Sequence, residues 1–422
     1  MKNGFKYDVD AIRAQFPACK LEIAGAPIAY LDGPGGTQVP QPVLDAMVGY
    51  LVNDNANEDG NFRASTMARY TEETARVAAA DFLGCEVQEV GFSMASTQNS
   101  FNLALNISKN LKPGDELIVT EIDHRCNSAP WRSLERIGCV VKTVRLVTQQ
   151  LDFEDYKAKL SDKTKVVAVN WASNALGTIT DVKKFIDLAH EHGAFTVVDA
   201  VHYSAHRPVD VKAIGTDALL CSPYKWFGPH SGVIYLKKEY IESLDFSNVK
   251  CDDIAEGGRR FHMGTPQYET LAGITAAVNF IADEGTKYAE FFEEELQGLT
   301  GHRRNIVAGI LAMDTHEMIL AKKLRMGLRA IPGVKVYGPA EGQPRTPTVS
   351  FTMEGYTPEE VSKIFGSKGI NSWNGDFYAV EVISALGLAE SGGLIRLGMA
   401  PYCTESDIDR VLSTVFELAQ AR

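Results

Sequence analysis

Two residues of this 422-residue chain are of types that could perform chemistry together. Lys225 comes shortly after a Ser-Pro pair, and Asp199 ends an upstream apolar run, residues 195–199, that has the pattern of a strand. A lysine amine can form a Schiff base with an aldehyde, and a carboxylate can keep a pyridine nitrogen protonated so that the ring accepts electrons. An enzyme that uses pyridoxal 5'-phosphate (PLP) requires both groups, so the pair predicts this cofactor.

A third segment, residues 95–99, precedes a predicted helix and carries Ser, Thr, Gln and Asn side chains. Hydroxyls and free N–H groups at a helix N-terminus form a phosphate site, although the same residues also serve as ordinary helix caps. Taken singly, Asp199 could equally cap a loop, and isolated lysines are common. The combination of the three segments is what favours a PLP site.

The elements around these residues alternate between short apolar runs and segments with helical periodicity, from residue 85 to residue 240. This alternation predicts a mostly parallel sheet covered by helices on both faces. Helices are expected at 99–111 and 182–192, the second ended by Gly193. The predicted strands are 89–93, 116–120, 140–144, 165–170, 195–199, 218–222 and 232–236.

The pattern changes near residue 266, which suggests two domains. Residues 1–25 are predicted to be an N-terminal segment that packs with the small domain, 26–265 the large cofactor-binding domain, and 266–422 long helices and a small α+β domain. Long helices are expected at 267–299 and 303–331, and a last helix at 405–421 with Thr404 as its N-cap. The predicted strands of this part are 334–337, 348–353 and 394–399.

Composition argues against several classes of protein. The formal charge is -12 and no basic stripe is present, so nucleic acid and anionic membranes are not expected partners. No apolar run approaches the roughly 20 residues that span a bilayer, and a cytoplasmic location is expected. The seven cysteines form no CxxC pair and no zinc-like spacing, so neither a disulfide framework nor a metal site is predicted.

From about Phe16 to its end the chain resembles the class V aminotransferase family, in particular its cysteine desulfurase-like group. The resemblance implies a PLP fold type I architecture, an α/β large domain with a mostly parallel seven-stranded sheet followed by a smaller α+β domain. It also implies a PLP-dependent enzyme that acts on an amino acid. The matching motifs are 30–36, 123–131, 173–178, 199–210, 222–229, 264–266 and Arg396.

The resemblance assigns roles to the central residues. Lys225 would form the Schiff base and move the substrate α-proton, and Asp199 would pair with the ring nitrogen. His124 would stack on the ring face opposite the lysine and complete the catalytic set. Asn174 would donate to the ring phenolate oxygen and also contact the substrate.

The resemblance likewise implies a phosphate site made of Thr97, Gln98, Ser222 and Tyr224. Thr265 would reach this site from a second subunit, because related active sites lie at a dimer interface. A homodimer with shared active sites is therefore expected.

Arg396, in a predicted strand with apolar neighbours, would bind the substrate α-carboxylate, since a planar guanidinium matches a carboxylate in bidentate fashion. Two departures from the group stand out. His202 occupies a cofactor-binding position where sulfur-transferring relatives usually have glutamine. Residues 369–378 contain Trp373, a predicted substrate contact, but no cysteine; indeed no cysteine occurs from 252 to 402.

A desulfurase needs a thiolate on this loop to accept sulfur, so the usual mechanism lacks its acceptor. Cys126, two positions after His124, is not expected to replace it. The preferred interpretation is a PLP-dependent lyase that eliminates a β-substituent, such as sulfur, from an amino acid. A desulfurase with a non-standard sulfur acceptor, and an epimerase, transaminase or carbon-carbon bond-forming enzyme, stay open. A non-catalytic PLP-fold binding protein is disfavoured because Lys225 and Asp199 are both present.

Overall fold

A computed structural model describes residues 4–247 and 257–421, so that Cys251 lies outside the described part. Its largest layer is a seven-stranded sheet in which one strand, Gly232–Leu236, runs antiparallel to both of its neighbours. The other pairings are parallel, which confirms the predicted fold class. The strand order is Val90–Ser93, Gly232–Leu236, Ala218–Cys221, Phe195–Asp199, Thr164–Asn170, Glu116–Thr120 and Val140–Val144.

Four neighbouring parallel strands of this sheet position the chemistry-bearing residues. They are Ala218–Cys221, Phe195–Asp199, Thr164–Asn170 and Glu116–Thr120. Their carboxyl ends lie at one edge of the sheet, where open α/β sheets bind ligands. The loops that follow them carry Lys225, His202, Asn174 and His124 respectively.

A second sheet of four antiparallel strands forms from the C-terminal part of the chain. Arg396 pairs with Ser350 on one neighbouring strand and with Trp373 on the other. The sequence analysis did not predict the short strand that carries Trp373. This strand is largely exposed, and its length of three residues gives no alternating pattern to detect. The sheet order is Val334–Tyr337, Thr348–Met353, Leu394–Gly398 and Trp373–Gly375.

The predicted helices occur with shifted ends. The helix expected at 99–111 is Ser96–Ser108, because Ala95 is extended and the chain becomes helical directly after it. The helix expected at 267–299 ends at Tyr288, followed by a 3-10 turn. Phe5 packs there against three aromatic rings, which favours a turn over a continued helix. Thr404 caps the last helix, Glu405–Gln420, through a reciprocal bond pair with Asp407.

Two long helices cross at glycines. A Cβ added to Gly285 would lie 1.8 Å from the Asn305 carbonyl oxygen, and one added to Gly309 would lie 2.1 Å from that of Ile281. Only glycine permits this backbone approach. The α-helices are Val9–Ala14, Gln41–Asn53, Arg63–Leu83, Ser96–Ser108, Arg125–Arg132, Phe153–Lys159, Val182–Glu191, Val211–Ile214, Lys238–Ser243, Tyr268–Tyr288, Gly301–Arg329, Pro358–Ser367, Val380–Ala385 and Glu405–Gln420.

Within the described ranges no helix is both long and apolar enough to cross a membrane. The domain limits at residues 25 and 265 stay predictions.

Candidate active site

Lys225 lies at the centre of the candidate site, in a short 3-10 turn after the strand Ala218–Cys221. Its side chain is buried, its Nζ donates to the carbonyl oxygen of Pro34 at 2.5 Å, and it sits 4.8 Å from the centroid of the Tyr224 ring. Burial, helped by the positive charge of Arg396, lowers the pKa of Lys225 to about 7. An appreciable share of this amine is therefore uncharged at neutral pH and available as a nucleophile or base.

Asp199 ends its strand in a fully buried position, as the sequence predicted. Its Oδ1 accepts the N–H of Val201 at 2.9 Å, and its Oδ2 accepts the thiol of Cys126 at 3.7 Å. Burial raises the pKa of Asp199. It raises the pKa of Cys126 much further above its usual range, and Asp199 adds to the effect, so Cys126 is a thiol donor here rather than a thiolate nucleophile.

His124 is the N-cap of the helix Arg125–Arg132, and its Nδ1 accepts the backbone N–H of Cys126 at 3.0 Å. Burial and then the charge of Lys225 lower the pKa of His124 to about 4. The imidazole is thus neutral at physiological pH, and because Nδ1 accepts, Nε2 carries the proton. The ring lies beside Tyr378, with 5.4 Å between centroids.

Asp123, which the sequence analysis did not single out, anchors this loop. Its carboxylate accepts the Thr120 N–H at 2.8 Å and the Asn127 side-chain amide at 2.9 Å. Burial raises its pKa to about 7, and the nearby Asp199 contributes. The available sequence signal for this role was the position of Asp123, directly before the candidate His124 and in the loop after a predicted strand.

The helix Ser96–Ser108 begins beside Ser222. The Ser96 hydroxyl lies 2.6 Å from the Ser222 hydroxyl, and no side chain among the described residues caps the first turn of the helix. A Cβ on Gly232 would lie within 2.6 Å of the Ala95 and Ser96 backbone, so a glycine is required there. Ser96, which the sequence analysis did not single out, contacts Ser222, while the Thr97 side chain is exposed and its role at the phosphate stays a prediction.

Asn174 joins two parts of the site. Its side-chain amide donates to the Phe377 carbonyl at 2.9 Å, and its own carbonyl accepts Nη1 of Arg396 at 3.0 Å. Its buried Oδ1 has no hydrogen-bond partner among residues 4–247 and 257–421.

His202 is buried, with Nε2 between the hydroxyls of Thr346 at 3.0 Å and Thr348 at 2.8 Å. Its Nδ1 is likewise unpartnered within the described chain. Burial, followed by His206, lowers the pKa of His202 well below its usual range, so the charge that a histidine could bring to this position is suppressed.

Arg396 is buried on the strand Leu394–Gly398, and Phe377 covers one face of its guanidinium at 4.1 Å from the ring centroid. Burial lowers its pKa to about 9, while the charge of Asp32 opposes the shift, so it stays cationic at neutral pH. Asp32 acts on this charge without forming an ion pair in the described chain, and the Arg396 Nε has no hydrogen-bond partner there. A buried cation in this state is suited to bind an anionic ligand.

Trp373 and Tyr224 lie along a glycine-rich turn near Lys225. A Cβ on Gly35 would lie 2.1 Å from the Trp373 indole nitrogen, and one on Gly36 would lie 3.2 Å from the Tyr224 ring. Trp373 is half exposed. It therefore lies at the border of the candidate site, against Gly35, the residue that follows Pro34, whose carbonyl accepts from Lys225.

Gln98 and Thr265 stand apart from this group. Both line a cavity of about 190 Å³ whose wall does not include Lys225, and Thr265 is exposed. Gln98 uses its side-chain oxygen to accept the Met94 N–H at 3.2 Å. Within one chain, then, Thr265 lies beside the start of the Ser96–Ser108 helix, and its reach into a second subunit stays a prediction.

The described residues contain no cluster of His, Cys, Asp and Glu suited to a metal ion. Their arrangement does fit PLP. A buried amine of lowered pKa, a buried carboxylate and a helix N-terminus without a side-chain cap occur together. Asn174 and His202 each add a buried polar atom that has no hydrogen-bond partner among the described residues.

The chain is similar to known proteins over nearly its whole length. The family model described as aminotransferase class-V matches residues 29–303 and 305–411. A probable cysteine desulfurase of Synechocystis sp. is 30% identical over 96% of this chain and 94% of the relative. A cysteine desulfurase of Synechococcus elongatus is 29% identical over 97% of this chain, but the chain spans only 63% of that relative's length. The apo structure of a cysteine desulfurase from Thermococcus onnurineus NA1 superposes with a TM-score of 0.85 at 25% identity, covering 99% of this chain and 100% of the other.

Proposed function

Since this chain belongs to the aminotransferase class-V family, we propose that it is a PLP-dependent lyase that cleaves a carbon-sulfur bond in a cysteine-like amino acid by β-elimination. The named relatives support carbon-sulfur chemistry, because their names describe cysteine desulfurases. What favours elimination over persulfide transfer is a feature of this chain's own sequence, the absence of any cysteine from residue 252 to residue 402.

The observation that carries the proposal is the environment of Lys225. Its amine has a pKa of about 7 and lies near both the Asp199 carboxylate and the Arg396 guanidinium, which forms no ion pair within the described chain. A structural lysine at the same depth would be expected to pair with a carboxylate. Under this proposal the Asp199 carboxylate would instead pair with the ring nitrogen of the cofactor, and the Arg396 guanidinium would bind the substrate.

Bound PLP supplies a place for the electrons that the substrate α-carbon gives up. Asp199 would hold the pyridine nitrogen protonated, and the Ser96–Ser108 N-terminus with Ser222 would hold the phosphate. Asn174 and His202 would donate to, or order, the phenolate side. The His202 Nδ1, which has no partner among the described residues, and the contact of Ser96 with Ser222 support these roles. Asn174 would donate through its side-chain amide, since its oxygen can only accept.

Arg396 would bind the substrate α-carboxylate and so fix which substituent stands perpendicular to the ring. The neutral amine of Lys225 would take the α-proton at Nζ, because its lowered pKa makes it a base near neutral pH. His124, uncharged and with its proton on Nε2, would pack against the opposite face without placing a competing charge there.

The stoichiometry separates the two sulfur reactions. Elimination converts L-cysteine and water into sulfide, pyruvate and ammonia, with no net oxidation or reduction. Conversion of L-cysteine into alanine instead leaves the sulfur oxidised, as the outer sulfur of a persulfide on a thiol acceptor, and its release as sulfide then requires a two-electron reductant such as a second thiol. Cys126 does not qualify as this acceptor, since burial and Asp199 keep it protonated.

The test is a product assay on the purified, PLP-loaded enzyme with L-cysteine in the absence of added thiol. The proposal predicts sulfide and pyruvate in equal amounts. Sulfide with alanine would replace it by the desulfurase alternative with an external acceptor. If no sulfide forms, the same assay on larger or sulfur-free amino acids would favour an epimerase, a transaminase or a carbon-carbon bond-forming enzyme.

The oligomer and the location belong to this proposal as well. A homodimer in which Thr265 of one subunit approaches the phosphate site of the other is part of the proposal, and the exposed side chain of Thr265 leaves it accessible to a second subunit. A cytoplasmic location remains an expectation from sequence, and no nucleic-acid or membrane partner is proposed.

A further inference from the structure

The guanidinium of Arg396 is held by two groups of quite different kinds. Nη1 donates to the Asn174 carbonyl at 3.0 Å, and the Phe377 ring covers one face at 4.1 Å. Nε has no partner in the described chain. The hydrogen bond holds one corner of the guanidinium, and the ring restrains the group from one side.

Phe377, whose ring lies against the Arg396 guanidinium, has an unusual backbone conformation. Phe377 and Tyr378 both have φ of +57°, the left-handed region that bulky residues rarely enter. Such strain persists only where surrounding contacts over-determine it, and it concentrates at ligand sites. Two consecutive aromatic residues in this conformation, directly beside a candidate substrate-binding arginine, point to a function for the turn.

The surrounding contacts are present on both sides of the turn. The Phe377 carbonyl accepts the Asn174 side-chain amide at 2.9 Å, and the Tyr378 carbonyl accepts the Arg125 N–H at 2.8 Å. The Asp376 carboxylate accepts the Tyr378 N–H at 2.9 Å. Asn174 therefore holds both the arginine and the ring that covers it, which makes the three residues one unit.

We propose that Phe377 is a positioning residue for the substrate carboxylate, its ring holding the Arg396 guanidinium in the plane that the carboxylate requires. The inference rests on the proposed function, since it presumes an amino-acid substrate. The inference assigns a role to the segment 369–378, which lacks a cysteine. Its aromatic turn, Phe377 and Tyr378, is held in place by hydrogen bonds and orders the carboxylate site, and it delivers no side chain to the substrate sulfur.

The experiment measures ligand affinity from the cofactor absorbance of the PLP-loaded enzyme. L-alanine and ethylamine serve as probes, because they share the amine and differ in the carboxylate. For Phe377→Leu we expect the Kd of L-alanine to rise roughly 3- to 30-fold, while that of ethylamine stays within about twofold. Phe377→Tyr keeps the ring and should bind L-alanine as the parent enzyme does.

Phe377→Gly separates the ring from the backbone strain. Glycine accepts the positive φ, so this variant should fold at least as readily at the turn and still lose affinity for L-alanine. Unchanged L-alanine affinity in the Leu and Gly variants would overturn the inference, as would an equal loss for ethylamine. A parent enzyme whose spectrum responds to no amino acid would instead contradict the proposed function itself.

Discussion

At the scale of single residues, burial sets charge states around Lys225 that the sequence does not display. The sequence predicted Lys225 and Asp199 from their types and spacing, and the family resemblance added His124 and Arg396; the catalytic roles of all four stay predictions. Asp123 was passed over although its contacts with Thr120 and Asn127 are local. The pairing of Asp199 with Cys126 could not be predicted, because it depends on contact between separate loops. Nor could the sequence indicate that His202 would be kept neutral by its surroundings.

The lowered pKa of Lys225 predicts how the apoprotein takes up PLP. Only the neutral amine attacks an aldehyde, and with a pKa of about 7 its neutral fraction rises steeply below pH 7 and saturates near pH 8. The uptake rate, followed by absorbance, should therefore level off above about pH 8. The reaction of PLP with free N-acetyl-lysine is the control, and a protein rate that climbs in parallel with it toward pH 10 would contradict the assigned pKa.

Arg396→Lys tests the carboxylate site by keeping the charge while removing the planar fork. We expect the Michaelis constant for the amino-acid substrate to rise about 10- to 100-fold with a smaller change in kcat, because one point charge replaces a bidentate contact. Steady-state kinetics at neutral pH measure both constants. An unaltered Michaelis constant would remove Arg396 from the substrate site.

At the scale of elements, the sheet strands were predictable to within a residue or so, because buried parallel strands are continuous apolar runs with clear ends. The strand Trp373–Gly375 was not, since it is short and exposed. The start of the Ser96–Ser108 helix was misplaced by three residues, because Ser and Thr suit a cap as well as a first turn. These misses fall on elements that border the candidate site.

Gly232→Ala tests whether the contact of strand Gly232–Leu236 with the Ser96–Ser108 helix start supports the phosphate site. The added Cβ would meet the Ala95 and Ser96 backbone at 2.4 to 2.6 Å, so we expect a loss of about 2 kcal/mol or more in unfolding free energy and a weaker Kd for PLP. Urea unfolding and equilibrium dialysis measure the two effects.

Gly366→Ala is the matched control for this change. Gly366 lies in the helix Pro358–Ser367 with no atom within 4 Å of an added Cβ. Its alanine variant should be about 0.5 kcal/mol more stable, with PLP affinity unchanged. Equal behaviour of the two variants would show that the close approach at Gly232 has no bearing on the site.

At the scale of the whole molecule, the candidate site draws on chain segments that are far apart in sequence. Pro34 contacts Lys225, Asn174 contacts Arg396 and Phe377, and Thr348 contacts His202. The family resemblance predicted that such segments converge, but the connecting contacts depend on the packing of one sheet against the other. This convergence on a single amine is the central claim about the molecule.

The most direct test of that claim is to reduce the PLP-loaded protein with borohydride and locate the pyridoxyl group by peptide mass spectrometry. Reduction makes a Schiff base permanent, so the modified lysine is the one that held the cofactor. We predict one pyridoxyl group per chain, on Lys225, and none on a Lys225→Ala variant. A pyridoxyl group on another lysine, or a parent protein that carries none after incubation with PLP, would contradict the account.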